Sequence, residues 1–148
     1  MSSPRFAPVV WPLFRIVVGL LFACHGASGI FGLLGGSRGT GEPIPAGTWP
    51  GWYAALIQLV CGLLVLAGLF TRPAALLASG SMAYAYFVVH QPEGLMPIEN
   101  GGVNAALYAW TFLVIAAFGA GAWSLDALIA GRRGKADVVT DEKIGAGV

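Results

Sequence analysis

The sequence predicts an all-α polytopic membrane protein: a bundle of four transmembrane helices with a short interfacial C-terminal helix. Hydrophobic residues make up 57% of the 148 residues and charged residues only 10%. Soluble domains carry about 25% charged residues, so there are too few charges here to cover a water-facing surface. Four apolar stretches, at about 11–34, 52–70, 73–90 and 103–120, are each long enough to cross a ~30 Å hydrocarbon core.

The first predicted span, 11–34, stays apolar well beyond the length of a signal-peptide core, so we expect an uncleaved helix. Arg15 lies about one turn inside it, close enough to the end to reach the headgroups as a membrane anchor. Gly19, Ala23 and Ala27 recur at every fourth position. Such stripes of small residues let helices approach closely in lipid.

A loop rich in Gly and Pro, residues 35–51, leads into the second span. Trp49 and Trp52 close this loop, as residues of an interfacial aromatic belt would, and we interpret both as membrane anchors. The second and third spans are separated by a very short turn before Pro73, which predicts that they are antiparallel neighbours. The third span repeats the small-residue pattern at Ala75, Ser79 and Ala83.

The C-terminal region predicts a short helix at about 123–130 that lies flat on the membrane surface. Ser124 is placed to cap its first turn, and Asp126 lies in that turn, where a negative charge suits the helix dipole. Trp123 is the fourth predicted membrane anchor. Residues 131–148 are polar, and we expect them to form a disordered cytoplasmic tail beyond the membrane domain of residues 1–130.

The distribution of basic residues predicts the orientation. With four spans, both termini and the turn at Arg72 share one side of the membrane. That side holds Arg5, Arg15, Arg72, Arg132, Arg133, Lys135 and Lys143, whereas the other holds only Arg38. Because basic residues stay on the cytoplasmic side, both termini are expected in the cytoplasm of a cell-membrane protein. The net charge of +1 excludes a dense basic surface for nucleic acid.

Four polar side chains in or beside the spans are the candidate ligand-binding residues: His25, Gln58, His90 and Asn104. All four fall in the predicted outer half of the bilayer, with His25 and Gln58 each about 9 Å from the outer end of a span. Polar groups inside spans are costly and mark functional sites by default. The sequence therefore predicts a polar pocket open to the outside, although the same residues also suit simple hydrogen bonds between helices.

The predicted pocket lies beneath an outer hairpin, residues 91–102, whose polar residues are Glu93, Glu99 and Asn100. Cys24 and Cys61 lie inside apolar runs without the spacing of a disulfide framework or a zinc site, so no metal is expected. His25 and His90 share the pattern F-x-x-H-x-x-x-G, a weak indication of a parallel internal repeat.

Four segments together resemble the DoxX family of small four-helix membrane proteins. They are RIVVGLLFACHGASGIFG, QLVCGLLVLAGLFTRPAALLA, AYFVVHQPEGLMPIENGG and GAWSLDAL, within residues 13–130. The resemblance implies a membrane subunit of a redox or oxidative-stress complex, similar in part to the membrane subunit of thiosulfate:quinone oxidoreductase. The chain departs from the family pattern at Gly29, Gln58 and Val103-Asn104, where family members commonly carry charged residues, and this disfavours a proton relay.

The sequence is compatible with three functions. The first is a quinone- or sulfur-linked redox subunit, with quinone as the ligand of the polar pocket and oxidoreductases as protein partners. The second is a non-enzymatic scaffold that recruits such oxidoreductases through its loops. The third is a lipid or solute transporter, for which four spans would have to assemble as a homo-oligomer.

Overall fold

The computed structural model describes residues 7–132, and all regular structure within that range is helical, as predicted. The elements are α1 (Ala7–Phe31), α2 (Gly51–Ala67), α3 (Thr71–Tyr84), α4 (Val103–Phe118) and α5 (125–132). α3 continues without a break into a π-helical segment, Ala85–His90, and a 3-10 turn, Gln91–Glu93. A second 3-10 turn, Ser37–Gly39, lies in the loop between α1 and α2.

The helices end earlier than the apolar runs that predicted them. α1, α2 and α4 were expected to reach residues 34, 70 and 120, but each stops just before a glycine with positive φ. At the end of α2, Gly68 has φ 68°, and the N–H of Leu69 donates to the carbonyl of Leu64 at 2.9 Å. This left-handed cap turns the chain within three residues into α3, so α2 and α3 are sequential neighbours.

α1 and α2 form a closely packed pair in which backbone approaches backbone. A Cβ added at Gly19 would stand 2.6 Å from the Leu66 nitrogen, and one added at Gly62 would stand 2.5 Å from the Ala23 nitrogen. Gly26, rather than the expected Ala27, continues this contact toward Leu59. The small-residue stripe therefore follows spacings of four and three residues, as the 3.6-residue helical turn requires.

α3 and α4 form a second pair. Ala75 and Ser79 of the predicted stripe are buried, and the Ser79 hydroxyl donates to the carbonyl of Ala109 at 2.7 Å. The two pairs share one core, to which every one of these four helices contributes. Phe22 of α1 and Phe112 of α4 are fully buried there, with ring centroids 4.4 Å apart.

Arg15 does not act as the expected headgroup anchor. Its side chain is fully buried, and its guanidinium donates to four backbone carbonyls. The acceptors are Val65 and Leu66 at the end of α2, and Ala120 and Trp123 in the segment before α5. A buried cation that satisfies orphan carbonyls of other elements fixes the packing of helices, so the anchor prediction was wrong.

α5 docks against the turn between α2 and α3. The Ser124 hydroxyl accepts the N–H of Ala127 at 3.2 Å, which confirms the predicted cap, and donates to the Gly121 carbonyl. α5 extends to residue 132, two residues into the expected tail. The remaining tail, residues 133–148, lies outside the described residues.

Large apolar side chains cover much of the outer surface of the helices. On α1 alone, Leu13, Val17 and Leu21 are each about half exposed, at 48%, 51% and 51%. Judged by length and composition, one helix within the described residues, Pro8–Phe31, is long and apolar enough to cross a membrane. α2 and α4 are apolar but shorter.

Candidate functional site

A cleft of about 1040 Å³ separates α2 from α3. Its walls are formed by Ile57 of α2 and by Leu76, Leu77 and Gly80 of α3, and the loop 37–50 covers one end. Gly80 leaves open space, since nothing lies within 4 Å of the position that a Cβ would take. Leu76 and Leu77 are more than half exposed, so the cleft opens onto the apolar outer surface of the bundle.

The polar groups of this cleft are concentrated toward the end that the loop covers. Trp49 stands across the mouth, with its ring centroid 5.7 Å from that of Tyr53 on α2 and 6.0 Å from that of Tyr84 on α3. Ser81 and His90 also line the cleft. The arrangement provides aromatic surfaces and hydrogen-bonding groups at one end, and an apolar channel along the rest.

A second, smaller cavity of about 250 Å³ lies between α1 and α2, beside the same loop. His25 and Gln58 line it together, and Ser37 and Arg38 from the loop complete its polar wall. The exposed His25 ring also meets Tyr108 of α4 edge-on, at 5.9 Å between centroids. Their similar depth along the two helices predicted that His25 and Gln58 share a pocket, and the structure is consistent with that pairing.

The four candidate residues do not share one pocket. His90 lines the α2–α3 cleft rather than the smaller cavity, and Asn104 is exposed on the first turn of α4 and lines neither. The His90 imidazole is also engaged by the outer hairpin, since its Nδ1 lies 3.1 Å from the Asn100 carbonyl oxygen. His90 therefore joins the hairpin to the cleft.

Asn100 organises the outer hairpin. Its side chain is buried, donates to the Gly94 carbonyl at 2.7 Å and accepts the N–H of Gly102 at 2.8 Å. Glu93 and Glu99 are exposed. The two carboxylates thus lie on the surface of the hairpin, whereas Asn100 holds its backbone in shape.

The predicted tryptophan anchors differ in exposure. Trp49 and Trp123 are 67% and 60% exposed, and Trp52 is half-buried. Their contact with a membrane surface stays a prediction, but Trp49 also belongs to the cleft. Sequence reasoning missed Arg38, Tyr53 and Tyr84 as cleft residues. The aromatic cluster at 49–53 was a signal for Tyr53 alone, and no comparable pattern in the sequence marked Arg38 or Tyr84.

Within the described residues, no group of three His, Cys, Asp or Glu side chains is close enough to hold a metal ion. Both cysteines are free thiols, with Cys24 half-buried and Cys61 buried. The candidate site is therefore defined by the two cavities and the loop that covers them.

Comparison with known proteins identifies the family. The DoxX family model matches residues 10–91, which include most of α1, all of α2 and α3, and the covering loop. The chain belongs to the DoxX family. An uncharacterized protein of Haemophilus influenzae is 36% identical over 129 residues, covering 82% of this chain and 92% of that protein. An uncharacterized membrane protein of Mycobacterium tuberculosis, Rv3486, is 34% identical over 124 residues, covering 76% of each.

A further uncharacterized Haemophilus influenzae protein is 32% identical over 79 residues, covering 53% of this chain and 52% of its own length. No solved structure matches this DoxX protein significantly. None of these three relatives carries a described activity, so the function has to be argued from the two cavities.

Proposed function

We propose that this DoxX protein is a four-span integral membrane protein that binds a quinone-class ligand and serves as the membrane subunit of a redox complex. The 25 residues of α1 extend about 37 Å, and the 14 residues of α3 plus the 6 of its π-helical continuation about 30 Å. The 17 residues of α2 and 16 of α4 extend about 25 Å, which a bilayer accommodates by local thinning.

The exposed apolar surface supports the membrane location. Exposed leucines occur on each of the four helices, and exposed valines and phenylalanines on several of them; in water such a surface would drive aggregation. The family relative Rv3486 is described as a membrane protein. On the positive-inside rule, the loop 35–51 and the outer hairpin face outward from the cell membrane, and the termini lie in the cytoplasm.

The observation that carries the ligand proposal is the α2–α3 cleft. A quinone combines a flat ring, two acceptor oxygens and a long apolar tail. Trp49, Tyr53 and Tyr84 offer aromatic faces to a ring, and the hydroxyl groups of Tyr84 and Ser81 offer donors. Because the cleft opens on the apolar surface, a ligand dissolved in the bilayer enters it without crossing water. The redox partner on this proposal is another protein that contacts the outward loops or the cytoplasmic face.

The test is equilibrium binding of a decyl-tailed benzoquinone to the protein in lipid nanodiscs, corrected against empty nanodiscs. Gly80→Leu fills the cleft and should weaken binding at least tenfold. Ala117→Leu, which adds the same bulk to an exposed position on α4, should leave it unchanged. Wild-type protein that binds no more quinone than empty nanodiscs, or a Gly80→Leu variant that binds as well as the wild type, would refute the ligand proposal.

A further inference from the structure

The two cavities share one wall. Five residues line both: Ser37, Arg38 and Ile44 of the covering loop, and Gly51 and Ala54 of α2. They make up half of the ten residues around the smaller cavity. The loop thus covers both spaces across the first turn of α2, with the Ile44 side chain at the junction. A Cβ at Gly29 would stand 3.3 Å from Ile44 Cδ1, and one at Gly51 would stand 3.6 Å from it.

The two spaces differ in chemistry. The smaller cavity brings together an imidazole, an amide and a guanidinium, from His25, Gln58 and Arg38. Two hydroxyl groups, those of Ser28 and Ser37, also line it, and that of Ser28 already donates to the Gly36 carbonyl at 2.7 Å. The cleft is mainly apolar below its aromatic mouth. Neither space is lined by Asp or Glu, so their combined surface favours acceptor atoms over cations.

We infer that the two cavities form one bipartite site for an amphiphile with an oxygen-rich head and a long apolar tail. The head lies in the α1–α2 cavity and accepts hydrogen bonds from Gln58, Arg38 and His25. The tail passes Ile44 and Ala54 and runs along the α2–α3 cleft. This inference rests on the proposed function in that the α2–α3 cleft holds a membrane-soluble ligand, but it places the head in the α1–α2 cavity rather than at the aromatic mouth of the cleft.

The dimensions agree with this division. A space of about 250 Å³ holds a headgroup about the size of a single substituted ring, whereas the cleft of about 1040 Å³ holds a chain. The cleft lining extends from His90 to Pro73, a distance of about 25 Å along the α3 axis. That length approaches the ~30 Å thickness of the hydrocarbon core, so an extended tail finds apolar surface along its course.

The experiment compares three probes in nanodiscs: a tailless benzoquinone, the same ring with a decyl tail, and a fatty acid of matching length. Gln58→Leu removes a donor at similar volume and should weaken both quinones about tenfold. Ala54→Leu at the shared wall should weaken the tailed quinone at least threefold more than the tailless one, because Ala54 lines both spaces but only the tail crosses the junction. Ile44→Trp, at the same junction but on the covering loop rather than on α2, repeats the junction test if Ala54→Leu fails to fold.

The outcomes separate this inference from the proposed function. Suppose that the tailed quinone binds the wild type and that Gly80→Leu abolishes this binding, but that Gln58→Leu, or both junction variants, leave it unchanged. This result would support ligand binding in the cleft and would overturn the bipartite site. If the bipartite site is upheld, the fatty-acid probe shows whether its head is anionic or neutral. If the fatty acid binds more tightly than the tailed quinone and Arg38→Gln abolishes its binding, the ligand is an anionic lipid. If the fatty acid binds no more tightly than the tailed quinone and Arg38→Gln changes its binding by less than threefold, the ligand is a neutral quinone.

Discussion

Arg15 and Asp126 hold the two sides of the turn between α2 and α3. Arg15 donates to the carbonyls of Val65 and Leu66 at the end of α2, and the Asp126 carboxylate accepts the N–H groups of Phe70 and Thr71 at the start of α3. A cation thus meets a helix C-terminus and an anion meets a helix N-terminus, the favourable arrangement for both dipoles. Because Arg15 belongs to α1 and Asp126 to α5, the two residues fix the end of the cleft opposite the covering loop.

Replacing Arg15 with Lys should destabilise the fold by about 1–3 kcal/mol, because buried carbonyls lose partners that one ammonium group cannot replace. Lysine keeps the charge but lacks the planar fork of donors that serves four acceptors. The free energy of unfolding is measured by denaturant titration in mixed micelles. Arg72→Lys is the matched control, since Arg72 is exposed and should change stability by less than about 0.5 kcal/mol. Equal stability of the two variants would contradict a structural role for the Arg15 fork.

Replacing Asp126 with Asn should lower stability at neutral pH by about 1 kcal/mol, the usual value for a helix cap. Burial raises the pKa of Asp126, but the N–H groups of Thr71 and Phe70 together with the Arg15 charge outweigh it, so the pKa lies below its ordinary value of 3.8. A depressed pKa contributes stability that is fully present well above pH 3.8 and is lost as the pH falls through the folded value.

The difference between wild type and Asp126→Asn should therefore be constant from pH 7 to pH 5 and shrink below pH 3.8. Unfolding midpoints across this range provide the measurement. A difference that grows on acidification would mean that the carboxylate is not stabilised in its charged form.

Sequence reasoning located Arg15 but not its role, and the reason is distance along the chain. Its acceptors lie 50 to 108 residues away, and a backbone carbonyl has no signature in the sequence. A lone arginine one turn inside an apolar run is therefore read as an anchor for headgroups. Helix ends were missed for a related reason, since hydrophobicity continues through Gly32 and Gly68, where the backbone leaves the helix.

The pairing of His25 with Gln58 was predictable because depth along a helix follows from the rise per residue. Direction around the helix is harder to predict when a helix is apolar on all sides, since no polar face marks its orientation. Asn104 was therefore assigned to the pocket from its depth alone, although it lines neither cavity. The cleft itself arises from the contact between α2 and α3 and the fold of the covering loop, which the sequence pattern does not specify.

Gly62→Ala should destabilise the α1–α2 pair by about 1–3 kcal/mol, the range for overpacking a close contact. Its new Cβ would stand 2.5 Å from the Ala23 nitrogen, so one helix has to move. Gly80→Ala is the control, because its Cβ meets open space and alanine favours the helix by about 0.5–1 kcal/mol. Thermal unfolding in detergent ranks the two variants, and a Gly62→Ala protein as stable as Gly80→Ala would show that the helices do not depend on this approach.

Asn100→Ala should loosen the outer hairpin, because the buried Gly102 N–H and the Gly94 carbonyl both lose their side-chain partner. Hydrogen exchange of residues 91–102 should accelerate by tenfold or more, as the loss of a bond worth about 1 kcal/mol at each group implies. Asn104→Ala removes the same side chain from an exposed position and should leave exchange unchanged. Similar exchange rates in the two variants would contradict the organising role of Asn100.

Four spans with cytoplasmic termini predict which loops a membrane-impermeant maleimide reaches in intact cells. In a Cys24→Ala, Cys61→Ala background, single cysteines replace Thr40 in the covering loop, Ile98 in the outer hairpin and Phe70 in the α2–α3 turn, all exposed positions. Residues 40 and 98 should be labelled directly, and residue 70 only after the membrane is permeabilised, because an odd number of spans separates it from the other two. The cysteine-free background reports non-specific labelling. Labelling of residue 70 alone in intact cells would keep four spans and reverse their orientation, whereas equal labelling of all three would rule out the four-span arrangement.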